Sequence, residues 1–273
     1  MQKTEMPMFG GATDWNFRIF VARTIRVAPK LWRVHDVCSP FWRFYANNRA
    51  GMSVEIHARG ARETFELLPH RAYLIPAGVH FTGHNGADVE HFYLHFDVLG
   101  PPPLQPHAHF GGVMEIPDFE PPRWEILREK CRQLPAIPDE IAPSPPASIA
   151  LRAQAILFEA FAHLWENGEH LRAPSGDLAA LEAVAPALQL IESDVGAPLN
   201  NTILAARCHL CADYFIVKFK AATGQTPAQY LLQRRLARGA QSLLFSDASI
   251  EKVASQNGFC DRFHFSRAFA RRY

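Results

Sequence analysis

The stretch Ile250–Phe269, I-E-K-V-A-S-Q-N-G-F-C-D-R-F-H-F-S-R-A-F, decides how the C-terminal part of the chain is read, because it repeats an upstream pattern. Ala205 is followed after five residues by Cys211 and then by Phe219; Ala254 is followed after five residues by Cys260 and then by Phe269, an offset of 49 to 50 residues. A helix-turn-helix needs these residue types at these places. A small residue lets the second helix cross the first, an apolar plug (Leu210, Phe259) fills the turn, and an aromatic lies on the buried face of the second helix. Two copies joined by one long helix would set two recognition helices in successive major-groove turns, about 34 Å apart on one face of DNA.

Outward from this repeat, the periodicity from Asp177 onward predicts helices near 177–193, 200–207, 211–222, 227–245, 249–256 and 261–273, with breaks at Gly224, Ser246-Asp247 and Gly258. The charge follows the same division. The whole chain has a formal net charge of +1, yet from Ala197 onward eleven Lys and Arg face four acids, a surplus of seven that leaves the first 196 residues at minus six. A basic quarter on an acidic body reads as a polyanion-binding module attached to something else.

The segments F-K-A-A-T-G-Q-T-P-A-Q-Y-L-L-Q-R-R-L-A-R-G-A-Q-S-L-L (219–244) and 250–269 together resemble the AraC/XylS family of bacterial transcription regulators, over roughly the last 100 residues. The resemblance implies a seven-helix DNA-binding domain with recognition helices at 211–222 and 261–273. It also implies binding to double-stranded DNA upstream of promoters and recruitment of RNA polymerase. The family's base-facing positions fall on Ala212, Asp213, Ile216 and Val217 in the first reader and on Arg262, Phe263, Ser266 and Arg267 in the second. Arg267 could bond bidentately to guanine and Phe263 could touch a thymine methyl; Lys218, Lys220, Arg234 and Arg235 suit phosphate contacts or helix-surface charge. Three positions depart from the family. Cys211 replaces a helix-capping Ser, Ile216-Val217 replaces a commoner polar pair, and the sequence ends at Tyr273 where the family pattern continues. Cys208-His209-Leu210-Cys211 could be half a zinc site, but no second Cys pair follows at finger spacing, so its place in the turn favours a structural role.

The N-terminal half reads differently. Short β segments (Trp42–Tyr45, Met52–Ala58, Thr64–Leu67, Ala72–Ile75, His91–Val98) alternate with turns at 47–51, 59–60, 68–69 and 83–86, the pattern of a sandwich or small barrel. Twelve of the 21 prolines lie between Pro101 and Pro146, which disfavours regular structure there apart from a short helix at Arg123–Leu134. A second helix, Ser148–Glu166, carries an apolar stripe that we assign, with the barrel surface, to a homodimer contact. The expected fold is therefore α+β and multidomain: a cupin-like β-barrel (jelly roll) at 1–115, a Pro-rich linker and helical dimerisation segment at 116–174, and an all-α domain with two helix-turn-helix motifs at 175–273.

The barrel resembles the sensor arm of the same family, which encloses a small effector. On E-H-F-Y-L-H-F-D (90–97), Phe92, Leu94 and Phe96 share one face and His91, Tyr93, His95 and Asp97 the other. The second set corresponds to ligand-facing positions in arabinose-type members. Trp42, Arg43 and Tyr45 offer a second wall for stacking a sugar ring, and Glu55, His57 and His80 complete the candidate ligand set. The effector expected from this resemblance is a carbohydrate.

An alternative reading is a metal-dependent cupin enzyme with an appended helical domain. The second cupin motif is only partly present, since Pro76, Gly78 and Asn85 are in place but Phe81 stands where a His is required, and a one-residue slip turns His80 to the opposite face. A set formed by His80, His84, His91 and His95 is the remaining route to a metal. No nucleophile elbow, phosphate loop or zinc-protease motif is present. We therefore expect no catalytic residue, no metal and no cofactor. With 273 residues, 48% of them apolar, the chain has room for two cores. No apolar run reaches the roughly 18 residues of a membrane span. Five cysteines, an odd number, and a first ten residues without a signal-peptide core suit a cytoplasmic protein.

Overall fold

The computed structural model describes residues 16–58, 61–99, 112–135, 145–167 and 178–272. Within them the N-terminal part forms two antiparallel sheets. Strands β1 (Asn16–Val27), β8 (Val89–Leu99), β3 (Trp42–Asn47), β6 (Ala72–Ile75) and β9 (Met114–Ile116) make a five-stranded sheet in that order. Strands β2 (Val34–Cys38), β7 (His80–Asn85), β4 (Met52–Ala58) and β5 (Ala61–Glu66) make a four-stranded sheet, also in that order. β4 and β6 fall on the segments their alternation predicts. β1, β2 and β9 go unread in the sequence, and the turn expected at 83–86 is partly the end of β7. Gly83 is glycine for room rather than for a turn, since a Cβ there would stand 2.6 Å from the Trp32 ring.

Two apolar clusters share the larger sheet. Between the sheets lie Val21, Tyr45, Met52, Val54, Ile56, Tyr73 and Phe81, among others. On the outer face Phe17, Trp42, Phe44, Phe92, Leu94 and Phe96 meet helices α1 (Trp124–Arg132) and α2 (Ala147–Asn167). The stripe Ile149, Ile156, Leu157, Ala160, Phe161 and Leu164 is buried in this cluster. This corrects its assignment to a dimer contact: the chain's own sheet already takes that surface from water.

The C-terminal part is helical: α3 (Leu178–Ser193), α4 (Asn201–Arg207), α5 (Ala212–Thr223), α6 (Pro227–Phe245), α7 (Ile250–Gln256) and α8 (Arg262–Arg272). Three of these starts have a local cause. Asn200 accepts from the Ile203 amide, Ser249 accepts from the Lys252 amide, and Thr226 forms a reciprocal capping box with Gln229 ahead of Pro227. Cys211 caps α5 without any side-chain bond, as expected of a thiol at that position. Six helices are therefore described where the family resemblance implies seven.

Candidate nucleic-acid interface and sensor pocket

The repeat seen in the sequence is a repeat of geometry. The Leu210 amide bonds to Ala205 O and the Phe259 amide to Ala254 O, each at 3.0 Å. One residue before each plug the chain turns left-handed, at His209 (φ 56°) and Gly258 (φ 74°). Gly258 is further confined because a Cβ would lie 2.8 Å from Gly196 O. Ala205 and Ala254 are both buried, as helix crossing requires. Phe219 is wholly buried as its place in the repeat predicts, and so is Phe215; in the second motif the buried aromatic is Phe265, which the sequence reading passed over, while Phe269 is only partly buried. The first motif builds one core with α3, and the second builds another around Leu236, Val253, Ala254, Phe259 and Phe265. α6 contributes Tyr230 and Leu231 to the first core and Leu236 to the second, so a single helix ties the two readers together.

The outer faces of the readers carry most of the expected positions. On α8, Arg262, Phe263, Ser266 and Arg267 are all exposed, with Phe263 and Arg267 on the side opposite Phe265 and the Arg262 guanidinium 4.8 Å from the centre of the Phe263 ring. On α5, Asp213, Val217 and Lys220 are exposed, while Ala212 and Ile216 are half-buried and pack against the first core. Those two residues therefore offer less surface to a base than the three exposed ones. Tyr214, half exposed beside Lys218, joins this face; its signal was its position three residues before Val217.

Two basic residues assigned to phosphate contact face inward. Arg234 is held by Glu192, with 2.7 Å between Nη2 and Oε2, and lies 3.6 Å from Asp97. Arg235 donates to Val195 O and Ala197 O at 2.9 and 2.7 Å. Burial works against the Arg234 charge, but Glu192 and Asp97 more than offset it and keep the group protonated. All five cysteines are free, and among the described residues no group of three or more His, Cys, Asp or Glu is placed to hold a metal.

Inside the barrel, a cavity of about 170 Å³ is lined by Ile25, Trp32, Val34, Val37, Arg43, Tyr45, Phe81, His91, Tyr93 and His95. Five of the nine expected ligand residues meet here: Arg43, Tyr45, His91, Tyr93 and His95. Trp42 does not. Strand parity puts it with Phe96 and Phe161 under the helices. Glu55 sits on the outward side of β4 beside Arg62, 3.2 Å away. His80 is exposed and bonds Asp36 at 2.9 Å. Burial of Val54, Ile56 and Phe81 on the inner side forces Glu55 and His80 outward. The same parity separates His80 and His84, both exposed, from buried His91 and mostly buried His95, which divides the four-His metal set. The His57 side chain lies outside the described residues. Trp32 was missed because it lies in a loop; it reaches Tyr45 and His91 at ring distances of 5.9 Å.

The pocket's electrostatics are set by burial. His91 Nδ1 lies 2.7 Å from Asn47 Oδ1, an atom that only accepts, so Nδ1 carries the proton. Burial pushes the His91 pKa down to about 3, and burial also holds His95 well below the ordinary value, helped by Arg43 and His91. Arg43, nearly buried, donates to Ser39 Oγ at 2.6 Å and lies over the Phe41 and Phe81 rings at 4.8 and 5.0 Å. The folded barrel thus refuses protons that the unfolded chain accepts. Stability is fully present above about pH 6.5 and is lost as the pH falls from there towards 3. For His91 alone the loss at pH 5 is about 2 kcal/mol. Melting curves of the parent and His91→Gln between pH 7.5 and 5 should show the shallower decline in the variant; parallel declines would place the acid sensitivity elsewhere.

Comparison with known proteins converges on the same two halves. Residues 204–273 match a helix-turn-helix domain family. The regulatory protein SoxS of Escherichia coli K12 is 30% identical over 83 residues, which are 30% of this chain and 78% of SoxS. The chain belongs to the AraC/XylS family. It is an AraC-type DNA-binding transcriptional regulator, and the relatives it matches are transcriptional regulators. The transcriptional activator RhaR of Cronobacter sakazakii is 26% identical over 221 residues, 75% of this chain and 76% of RhaR. The chain spans only 22% of the length of the MmsAB operon regulatory protein of Pseudomonas aeruginosa, at 38% identity over 68 residues. The apo structure of a ToxT point variant from Vibrio cholerae shares the fold, with a TM-score of 0.53 at 11% identity over 95% of this chain and 93% of that one. No described helix is long and apolar enough to cross a membrane.

Proposed function

We propose that this regulator is an effector-controlled, cytoplasmic transcriptional activator whose barrel takes the effector and whose two reader faces take promoter DNA. The exposed set Arg262, Phe263, Ser266 and Arg267, on a helix anchored by buried Phe265, carries the DNA half of this reading. The name of RhaR supports activation. Recruitment of RNA polymerase follows from the family resemblance; pairing into a homodimer and the division at 1–115, 116–174 and 175–273 belong to the same proposal. The double-stranded DNA contacts would come from Asp213, Tyr214, Val217 and Lys220 on α5 and from the α8 set.

The effector reading favours a compact ring over a free sugar. The described lining offers Arg43, two neutral imidazoles and two phenols among aromatic and aliphatic walls, but no carboxylate or amide. A sugar's many hydroxyls would be left short of partners, at about 1–3 kcal/mol for each one stranded. A planar ring gains from Trp32, Tyr45, Phe81 and Tyr93 without that cost. A carbohydrate, the effector class of the resemblance, is thus the second reading.

One preparation tests both halves. The parent should bind a promoter duplex with steep salt dependence. Arg267→Ala should lose about 1–3 kcal/mol and relax specificity at one base; equal binding to every sequence by both proteins would remove Arg267 from the interface. A thermal-shift panel of sugars and small ring compounds should raise the parent's melting point only with the latter. Stabilisation by sugars alone would restore the carbohydrate.

A further inference from the structure

The pocket and the readers touch through one strand. On β8, His91, Tyr93 and His95 face the cavity, and Asp97, next on the same face, is 3% exposed. Its carboxylate lies against α6, 3.6 Å from Arg234, and its Oδ2 makes no hydrogen bond. Arg234 is shared with Glu192 of α3, to which Tyr230 also donates at 3.3 Å. A second tie lies two turns further along α6, where Gln241 Nε2 donates to Pro40 O at 3.1 Å. The adjoining Phe41 ring stacks on His95 at 4.6 Å. Residues 234 and 241 are seven apart and share a face of the helix. Two routes therefore leave His95 and end on α6: along β8 through Asp97, and across the β2–β3 loop through Phe41 and Pro40.

We propose that Asp97 and Arg234 form an interdomain clasp by which the cavity sets the arrangement of the two readers. The pair is made to open. Glu192 satisfies Arg234 at hydrogen-bond distance, whereas Asp97 is buried and held by charge alone, which leaves the docked state only marginally favoured. A shift of β8 by a ligand against His91, Tyr93 and His95 moves the carboxylate two residues further on, about 6.6 Å along the strand. The α6 helix belongs to both reader cores, so its docking governs both at once. Asp97 and Arg234 are positioning residues in this scheme, and they touch neither effector nor DNA.

The proposal rests on reading the barrel as the sensor, and linkage allows a test that needs no effector. If the cavity biases DNA binding, DNA must bias the cavity equally. Hydrogen exchange of the full chain would be followed with and without a duplex enriched from a random pool by the parent protein. In the parent, DNA should change exchange at amides 91–97 by about fivefold or more, the low end of coupling between sites. In Asp97→Asn that response should vanish while α8 remains protected by DNA. Should this variant fail to fold, Gln241→Met cuts the second tie and should weaken the response in part. An unchanged β8 in the parent, or a full response in the variants, overturns the clasp. Either result leaves the thermal-shift test of the pocket standing on its own.

Discussion

Phe265→Ala should melt the second helix-turn-helix while the first stays folded. The second core contains five buried residues against eleven in the first, and Phe265 is its largest wholly buried side chain. It meets Phe259 edge-on at 5.1 Å and Phe269 at 5.4 Å. It also fills the space left by Gly239, where a Cβ would stand 2.6 Å from the ring. Truncating a buried Phe costs about 3–5 kcal/mol, and a five-residue core has little to set against that. Hydrogen exchange should show α7 and α8 opening together with α4 and α5 protected. Loss of both motifs in one transition would mean that α6 makes them a single cooperative unit.

Arg234→Met should be as damaging, and for a reason unrelated to DNA. Removing the guanidinium strands Glu192 and Asp97 beside Tyr230, whose own phenol burial holds firmly in its neutral form. Breaking a buried pair from one side costs about 3–5 kcal/mol. Denaturant unfolding should register that loss, whereas the slope of DNA affinity against salt should stay as in the parent. A slope reduced by about one, with stability intact, would return Arg234 to the phosphate contacts.

These two residues also show where sequence reasoning succeeds and stops. The helices of the C-terminal part were legible almost to the residue because local signals fix them: the helical period, the caps Asn200, Thr226 and Ser249, and the glycines after α5 and α7. Arg234 was misjudged because a charge count cannot tell a cation facing DNA from one facing a carboxylate 137 residues away in sequence. In the barrel, alternation correctly divided β8 into two faces, but β3 was taken as one wall, although Trp42 and Phe44 lie under the helices and Arg43 and Tyr45 face the cavity. Which face is interior depends on pairing between distant strands, so Glu55, His80 and Trp42 were placed on the wrong side. β1 was overlooked although it is the longest strand, since its partner β8 begins 73 residues after it does. Trp32 belongs to no strand, and only Gly83, read as a turn, held a trace of it.

β8 has no solvent side between His91 and Asp97: its even positions are sealed beneath α1 and α2, and its odd ones face the cavity or the clasp. The strand therefore writes two instructions in alternate letters. Drift at 92, 94 and 96 is punished by misfolding, whereas drift at 91, 93 and 95 can retune what the barrel recognises and leave the scaffold whole. A lineage seeking a new inducer has those three codons, with their neighbours at 43 and 45, as its shortest path. Asp97, one step beyond them, must stay in place for the new signal to be heard.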